Sequence, residues 1–522
     1  MRREHAISRK AFSILLVCIL LPQVSITAIG SGGPPDAPDD TVTGDASPVQ
    51  VRGVSQMAAA AAANGWPGDG SAGDPYIIEG HDFNASGSRF CLAIDFVNRH
   101  FIIRNNHFHG TRYHDGLVWL LAGVGIRDCH NVTVLNNTFE NNEVCSIRVR
   151  NAFGRIENNT INGSEFGIEG VARDEGLVIK GNAISDVRTA MTLDGPMQVM
   201  HNTLVNGTWY GIEKGDRDPT EVAFNSIRGF NRGVFINADP AYVHNNTVRD
   251  CEYFGISVSG EDAVIEHNTV GNTSTGIIVL HDRGTLRDNT LLGSPILLGD
   301  HEEDVMASHM ITTSNTLNGK PVQYLTAIDG VDINPATYGQ SLLVSCSNIT
   351  FHDRTVTGEW WLQIGYCTDV TVRENDFDLS RHTKWSFSDT DDVRVVDNSV
   401  SGVELYVQGN RSEISNNSFD GGVLTSSGSE NSRIHNNTFR SRGLTPLCVA
   451  SGDRIDVEDN NVSVVDPEPG LYAISVADIS FGLRMRNNEL WGAGASYPWC
   501  DRDRLYGNYD IDTSNTVNGR PI

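Results

Sequence analysis

An asparagine returns about every 22 residues along this 522-residue chain, always in the same local frame. The frame is an apolar residue, two free positions, the asparagine, one free position and a second apolar residue, as in Val243-x-x-Asn246-x-Val248. A repeat this regular predicts a solenoid, in which each repeat is one coil stacked on the next. The asparagines in this frame are Asn106, Asn137, Asn159, Asn182, Asn202, Asn225, Asn246, Asn268, Asn289, Asn375, Asn398, Asn417, Asn437, Asn460 and Asn488.

The residues between these asparagines favour strands. They form short apolar runs rich in β-branched and aromatic side chains, which is typical of strands and not of helices. A glycine that opens a second alternating run follows several of the asparagines, as in Gly211-Ile212 and Gly233-Val234. Each repeat therefore holds about three short strands and has no space for a crossover helix. We predict an all-β, single-stranded parallel β-helix of about 16 or more coils.

The repeated asparagine itself has two physical roles in this prediction. Asparagine tolerates the left-handed backbone region better than any residue except glycine, so we expect it to make the sharp turn between strands. Its amide carries both a donor and an acceptor, so stacked coils can bond asparagine to asparagine along the solenoid. We call this column the asparagine ladder.

Charge limits the partners of the chain. The formal net charge is −26 and the isoelectric point is about 4.9. Nucleic acid and anionic lipid are bound through clustered basic side chains, so we expect neither as a partner.

The N-terminus predicts export. Arg2, Arg3, Arg9 and Lys10 precede an apolar run from residue 11 to residue 21, and small residues follow near residues 28–30. This order predicts a signal peptide over 1–30. Residues 31–55 begin with a stretch rich in glycine, proline and aspartate, and we assign them as a linker. We expect a secreted or cell-surface protein without an integral membrane segment once the signal is removed.

Two cysteines occupy equivalent positions in adjacent coils. Cys346 and Cys367 are 21 residues apart, about one repeat. Stacking places their Cα atoms about 5 Å apart, which suits a disulfide. The alternative is a pair of stacked, buried thiols, which a β-helix interior accepts equally well.

A ten-residue cassette occurs twice. Residues 313–322 recur 200 positions later as residues 513–522, with Ser-Asn-Thr and Asn-Gly in the same places. We predict a first β-helix block over 56–309, a connecting cassette over 310–344 and a second block over 345–509. Residues 510–522 then begin a second cassette, so we expect either a truncated chain or a further block after it.

These segments resemble a known family. The cassette, the run Gly339-Gln-Ser-Leu-Leu-Val-Ser-Cys-Ser-Asn-Ile-Thr350 and the run Gly73-Asp-Pro-Tyr-Ile-Ile-Glu-Gly80 are similar to NosD-like secreted proteins. The resemblance spans roughly residues 50–522. It implies a right-handed parallel β-helix of the carbohydrate-binding and sugar-hydrolase type. It also implies that Met57–Ala63 forms a short helix covering the N-terminal coil.

The resemblance implies several activities and selects none. NosD-like proteins include a periplasmic factor that helps to mature the copper sites of nitrous oxide reductase, and many surface proteins without known activity. The broader fold includes pectate lyases, polygalacturonases and alginate epimerases. The local motifs of those enzymes are missing here, so we assign no catalytic residue.

One polar segment is a candidate metal or acid–base site. His107 and His109 flank Phe108 and should share the outer face of one strand. Glu140 follows Phe139 as His109 follows Phe108, so it should stack near His109. Two imidazoles and a carboxylate suit a transition metal or proton transfer. The alternative is an exposed loop with ordinary histidines.

Two acidic turns are candidates for calcium or for plain solvated loops. The first contains Asp389, Asp391 and Asp392, and the second lies over residues 300–304. The acidic turns leave calcium, and the histidine cluster together with the family resemblance leaves copper, as cofactor alternatives, although no specific motif indicates either.

Aromatic side chains complete the set of candidates. Exposed aromatics can stack on sugar rings, and about half of these residues should instead pack inside the coils. We expect a polysaccharide or surface glycan as ligand, or a structural surface role. A polysaccharide lyase, hydrolase or epimerase and a copper-enzyme maturation factor remain alternatives. The aromatic candidates for sugar stacking are Trp119, Trp209, Tyr210, Trp360, Trp361, Tyr366, Trp385 and Trp499.

Overall fold

A computed structural model describes residues 45–112, 121–299, 302–450, 452–477, 482–496 and 509–522. The chain divides into two units, 1–41 and 42–522, and every described residue belongs to the second. The predicted signal peptide and residues 31–44 of the predicted linker lie outside the described residues. Within the described ranges, no helix is long and apolar enough to cross a membrane.

The prediction of a parallel β-helix is confirmed. The described strands stack in about 18 turns, and only 4% of the chain is helical. Successive coils pair in parallel and in register: Thr247 lies opposite Ser226 on one side and Thr269 on the other. Each coil contributes one strand to each of three sheets. Sheet 1 holds the strands before the ladder asparagines, sheet 2 the strands after them, and sheet 3 the third strand of each coil.

Through the first half of the chain, sheets 1 and 3 are joined by two long strands, Cys145–Glu157 and Phe166–Lys180, which run through both. The other strands of sheet 1 are Tyr76–Glu79, Phe101–Arg104, Val132–Leu135, Met197–Met200, Thr220–Ala223, Ala241–His244, Val264–Glu266, Thr285–Arg287 and Met310–Ile311. Those of sheet 2 are Asp45–Ala46, Asp82–Asn84, His107–His109, Thr138–Glu140, Thr160–Asn162, Ala183–Val187, Thr203–Gly207, Ser226–Arg228, Thr247–Arg249, Thr269–Gly271, Thr290–Leu292 and Thr316–Leu317. Those of sheet 3 are Val49–Arg52, Phe90–Asp95, Ala122–Arg127, Thr189–Asp194, Tyr210–Lys214, Arg232–Ile236, Phe254–Val258, Thr275–Val279 and Ile296–Leu298.

In the second half, Asp376–Ser388 and Ser399–Val407 run through sheets 2 and 3. Sheet 1 continues with Asp329–Asp332, Ser347–His352, Thr368–Arg373, Asp391–Val396, Glu413–Ser415, Arg433–His435, Asp456–Glu458, Arg484–Arg486 and Asp510–Ile511. Sheet 2 continues with Thr355–Gly358, Ser418–Asp420, Thr438–Arg442, Asn461–Val465, Glu489–Trp491 and Thr516–Val517. Sheet 3 continues with Lys320–Thr326, Gln340–Val344, Trp361–Gly365, Val423–Ser427, Leu447–Ala450, Ile474–Ala477 and Ala495–Ser496, and a last strand, Arg520–Pro521, pairs antiparallel with Thr516–Val517.

The predicted helix near the N-terminus is also present. It spans Val54–Asn64 and ends at Gly65, whose φ of 71° gives the left-handed residue that commonly terminates a helix. Met57 and Ala61 are buried against the first coil. Two further short helices are Glu303–Ala307 and the 3₁₀ turn Pro335–Thr337.

The solenoid begins before residue 56, so the linker predicted to extend to residue 55 ends earlier. Strand Val49–Arg52 pairs with the next coil, with Val51 opposite Ile94. Val51 is fully buried. Val49 and Val51 alternate with polar residues and form the inward face of this strand. Such alternation is typical of a strand and not of a linker.

The ladder asparagines form two continuous buried columns. In each, the Oδ1 of one asparagine accepts from both the backbone N–H and the Nδ2–H of the preceding one, at about 3.0 Å. Each Nδ2 also donates to a backbone carbonyl of the coil before it, as Asn246 does to Val222 at 2.8 Å. The columns run from Asn106 to Asn315 and from Asn375 to Asn515.

The expectation that the ladder asparagine itself makes the left-handed turn is wrong. The positive φ belongs to the residue before it, with 53° at Asn105, 52° at Asn136 and 56° at Phe224. The ladder residue follows with its amide turned inward and buried. The turn therefore needs two adjacent specialised residues: one that tolerates a left-handed backbone, and one whose side chain replaces the hydrogen bonds that the turn interrupts.

Two hydrophobic cores meet at the cassette. Strand Gln340–Val344 has one face in each: Leu342 and Val344 belong to the first core and Leu343 to the second. The Gln340 amide donates to the Ile296 carbonyl at 2.6 Å and accepts from the Ile296 N–H at 2.9 Å. Gln363 makes the same pair of bonds to Leu298, at 2.8 and 3.1 Å.

Strand Ile296–Leu298 closes sheet 3 of the first half, so these two side-chain amides satisfy the backbone groups of an edge strand. Gln340 lies within the predicted connecting cassette and Gln363 lies in the coil after it, so the assignment of residues 310–344 as the connector stays a prediction.

Candidate functional site

The first candidate site lies on the outer face of sheet 2 near its N-terminal end. Phe83, Phe108 and Phe139 point inward as a buried stack with ring centroids 5.0 Å apart. Because side chains alternate along a strand, the residues on either side of each phenylalanine must point outward. In-register pairing then places Asp82 opposite His107.

Three ligand-type atoms converge there. The Oδ1 of Asp82 lies 3.0 Å from His107 Nδ1 and 3.0 Å from His109 Nε2. The two imidazole rings are stacked, with centroids 4.5 Å apart and planes inclined by 20°. Each of the three side chains is between 26% and 29% exposed, so the site is open to solvent but supported from below.

Glu140 lies at the edge of this cluster. It is opposite His109 in the strand register, which is where the sequence places it. Its carboxylate nevertheless approaches the other histidine, with Oε2 3.5 Å from His107 Nε2. That nitrogen is buried and has no hydrogen-bond partner among the described residues.

Asp82 was missed by sequence reasoning because its coil breaks the asparagine frame. The segment Ile78-x-x-His81-x-Phe83 carries histidine in the ladder position. The backbone N–H of His81 donates to Asn106 Oδ1 at 3.0 Å, so this coil is the true start of the first column. A frame that allowed His in the asparagine position would have aligned Asp82 with His107.

A second candidate lies where sheet 3 begins, on four successive coils. We call Arg188, Trp209, Tyr210, Arg232 and Tyr253 the arginine–aromatic surface. The Arg232 guanidinium lies 4.2 Å from the ring centroid of Trp209, 5.2 Å from that of Tyr210 and 5.6 Å from that of Tyr253. Its Nη1 also donates to the Tyr210 hydroxyl at 3.2 Å.

Stacking of the coils creates this surface. The Arg232 N–H donates to the Trp209 carbonyl, and the Tyr253 N–H donates to that of Asn231, so residues from consecutive turns lie above one another. Tyr253 is 45% exposed. The Arg188 guanidinium lies 6.0 Å from the ring centroid of Trp209 and pairs with Glu165. Arg232 has no ion pair within the described ranges.

Glu213 extends the same outer face. It lies opposite Phe235 of the next coil, and the Tyr210 and Phe235 rings are 6.0 Å apart. Burial raises the pKa of Glu213, and the attraction of Arg232 partly offsets that rise. The arginine–aromatic surface therefore combines two guanidinium groups with aromatic faces, and the half-buried carboxyl group of Glu213 lies beside it.

Most of the other aromatic candidates that the structure describes are buried in the core. Trp360 and Trp385 are fully buried and pack edge to face, with centroids 5.3 Å apart, and Trp361 is also buried. Tyr366 is half-buried. Trp119 and Trp499 lie outside the described residues.

Cys346 and Cys367 stack on adjacent coils as the spacing predicts. Both are buried free thiols, and the Cys346 N–H donates to Cys367 Sγ at 3.2 Å. The disulfide stays a prediction.

The acidic turns offer little to calcium. Asp391 and Asp392 both pair with Arg411, at 3.2 and 2.8 Å, so their charge is compensated within the protein. In the second turn, Glu303 accepts from the Ser345 hydroxyl at 2.7 Å. Residues 300 and 301 lie outside the described residues.

Comparison with known families matches two parts of the chain. The model of the right-handed β-helix region matches residues 68–193, and that of the periplasmic copper-binding protein NosD matches residues 169–320. No curated protein matches the chain.

The solved structures that match this chain are distant. The Dettilon tailspike protein gp208 is 11% identical, with 66% of this chain and 61% of that chain covered and a TM-score of 0.21. The mannuronan C-5 epimerase AlgE4 A-module of Azotobacter vinelandii is 11% identical, with 81% and 91% covered and a TM-score of 0.20. The tailspike of E. coli bacteriophage HK620 is 10% identical, with 89% and 76% covered and a TM-score of 0.22. Scores this low carry no argument about function.

The two family matches, over residues 68–320, and the stacked parallel coils together support a NosD-like, right-handed β-helix repeat protein.

Proposed function

We propose that this chain is a secreted or cell-surface protein that binds a chain-like glycan along the arginine–aromatic surface. Export rests on the predicted signal peptide. The observation that carries the binding proposal is Arg232, a guanidinium without an ion pair in the described residues, surrounded by three aromatic rings. In a chain of net charge −26, we expect most basic side chains to form an ion pair with a carboxylate.

The spacing of the surface suits an extended ligand. Coils stack at about 4.8 Å, so Trp209 and Tyr253, two coils apart, are separated by about 10 Å along the solenoid. That distance is comparable with a disaccharide unit. Aromatic faces bind the apolar faces of sugar rings, and contiguous exposed aromatics on a soluble protein commonly mark a binding surface.

The guanidinium groups favour an acidic glycan. Arginine binds carboxylates through paired, charge-assisted hydrogen bonds, which a neutral sugar does not offer. Glu213 supplies a further polar group for a sugar hydroxyl. The preferred ligand in this proposal is therefore a polysaccharide that contains uronic acids.

The test is a binding panel on the full mature chain. Oligogalacturonate, oligomannuronate and cellohexaose are titrated by calorimetry, and each mixture is searched for shortened, unsaturated or epimerised products by mass spectrometry. We expect the acidic oligosaccharides to bind more tightly than cellohexaose and to be recovered unchanged. Altered products would support the enzyme alternative, and the absence of binding to all three would overturn the proposal.

Two variants and one control locate the binding. Trp209→Ala should weaken binding about fivefold, as expected for the loss of about 1 kcal/mol of stacking. Arg232→Met should remove the preference for acidic over neutral ligands. Phe224→Ala is the control, because Phe224 is 49% exposed but lies outside the arginine–aromatic surface. An equal loss in the control would show that the contact is non-specific.

A further inference from the structure

We infer that Asp82, His107 and His109 form a binding site for one divalent transition-metal ion, zinc or copper(II), with Glu140 as the group that orients His107. The cluster lies outside residues 169–320, the segment that matches the NosD model. The inference therefore rests on the geometry of the first coils alone.

The scaffold fixes the direction of the three ligands. Each belongs to a strand whose central phenylalanine is buried in the aromatic stack below, and adjacent strands are held in register by parallel pairing. Sites on strands hold their geometry better than sites on loops. A small motion of one side chain is enough to admit an ion, because the backbone already places the ligands side by side.

The distances between ligand atoms are close to those of a coordination sphere. Zinc bonds to imidazole nitrogen or carboxylate oxygen are about 2.0–2.2 Å long, so neighbouring ligands of a tetrahedral ion lie about 3.3–3.6 Å apart, and a small outward motion of the side chains would reach that spacing. Asp82 Oδ1 is 3.0 Å from a nitrogen of each histidine. All three atoms lie within 4.8 Å of one another. Three protein ligands leave the fourth position of a four-coordinate ion to a solvent or ligand molecule.

The donor types select the metal class. Two imidazoles and one carboxylate suit zinc, copper(II) or nickel(II), whereas calcium and magnesium require mostly oxygen ligands. The competing arrangement is an ion pair in which Asp82 bridges two histidines without a metal. An ion pair alone would not take up a metal ion stoichiometrically, so a binding measurement distinguishes the two arrangements.

The unsatisfied nitrogen gives an independent indication. His107 Nε2 is buried without a hydrogen-bond partner in the part of the chain that the structure describes, and Glu140 Oε2 lies 3.5 Å away. A histidine that binds a metal through one nitrogen usually donates the other N–H to a carboxylate or carbonyl. Coordination through Nδ1 places the proton on Nε2, where a small movement of Glu140 would accept it.

The experiment measures zinc and copper(II) binding to the full mature chain after treatment with chelator and dialysis. We expect one tight equivalent of each metal. His109→Gln and Asp82→Asn should weaken binding at least tenfold, and Glu140→Gln by about tenfold, as for other outer partners of metal-bound histidines. For copper(II), the electron paramagnetic resonance spectrum should show coupling to two nitrogens in the wild type and to one in His109→Gln.

His244→Gln is the matched control. His244 also pairs with a carboxylate, with Nε2 3.1 Å from Glu221 Oε1, and it is 23% exposed, but no second histidine of the described ranges pairs with that carboxylate. The control should bind metal as the wild type does. If a variant fails to fold, the wild-type chain still gives a result, because zinc should protect His107 and His109, but not His244, from diethyl pyrocarbonate.

Three results would overturn the inference. They are the absence of a tight equivalent in the wild type, unchanged binding in both Asp82→Asn and His109→Gln, and an equal loss in His244→Gln. A spectrum without nitrogen coupling would exclude the assigned histidines even if copper is retained.

Discussion

Replacing a ladder asparagine should destabilise the solenoid by an amount that follows from its hydrogen bonds. Asn246 is 1% exposed and lies in the middle of the first column. Its Nδ2 donates to Val222 O, His244 O and Asn268 Oδ1, at 2.8 to 3.0 Å. Its Oδ1 accepts from the backbone N–H and the Nδ2 of Asn225, both at 3.0 Å.

Asn246→Ala removes all five of these bonds but leaves few groups without a partner. Asn225 Nδ2 keeps its bond to Val199 O, and Asn268 Oδ1 keeps its bond from the Asn246 backbone N–H. The Asn225 N–H loses the partner that Asn246 gives it. A buried donor left unsatisfied costs about 1–3 kcal/mol, so we expect a loss of that size in the free energy of unfolding.

The assay is urea unfolding followed by circular dichroism, with linear extrapolation to water. Hydrogen exchange at the Asn225 amide gives a local readout, which matters because stability in a solenoid is a sum over neighbouring coils. Thr247→Ala is the control, since Thr247 is exposed and surface changes usually stay within about 0.5 kcal/mol. A loss of only a few tenths of a kcal/mol, or one equal to the control, would refute the reasoning.

Three further predictions follow from other parts of the solenoid. Gly233→Ala should destabilise the protein strongly, because an added Cβ would lie 2.3 Å from the Gly255 carbonyl oxygen of the next coil. Gly73→Ala, where nothing lies within 4 Å, should have little effect in the same unfolding assay. Burial lowers the pKa of His309 to about 4, and its Nδ1 accepts from the Gly284 N–H, so the folded state holds this side chain neutral. The unfolded chain therefore binds more protons than the folded protein between about pH 6.5 and pH 4. As the pH is lowered through this range, the free energy of unfolding should fall by up to about 3 kcal/mol. His309→Asn, which keeps an acceptor, should show a smaller fall. Under oxidising conditions Cys346 and Cys367 should form a disulfide, detected as a linked peptide in an unreduced digest; two free thiols would reject it.

Much of the fold could be predicted because one short frame is repeated. Each copy of the frame predicts the same turn and the same inward positions. A wrong assignment at one position therefore does not change the predicted fold. The departures were harder to see. His81 replaces asparagine at the first position of the first column, and Asn315 and Asn515 end the two columns without the preceding apolar residue.

The candidate sites were only partly predictable, because each joins residues from several coils. His107, His109 and Glu140 lie in coils that obey the frame, and the structure brings them together. Asp82 lies in the irregular coil, and it supplies the oxygen that both histidines approach. The arginine–aromatic surface also required the structure, since sequence cannot separate exposed Tyr253 from buried Trp360.

The sequence by itself determined the period, the strand content and the column of inward amides, because these repeat with every coil and depend only on local backbone preferences and on stacking at a constant spacing. Tertiary structure alone decided where the left-handed residue sits, how the cassette strand divides its faces between two cores, and which outward side chains meet. Those features depend on the angle and register at which one coil covers the next, and no local pattern encodes them.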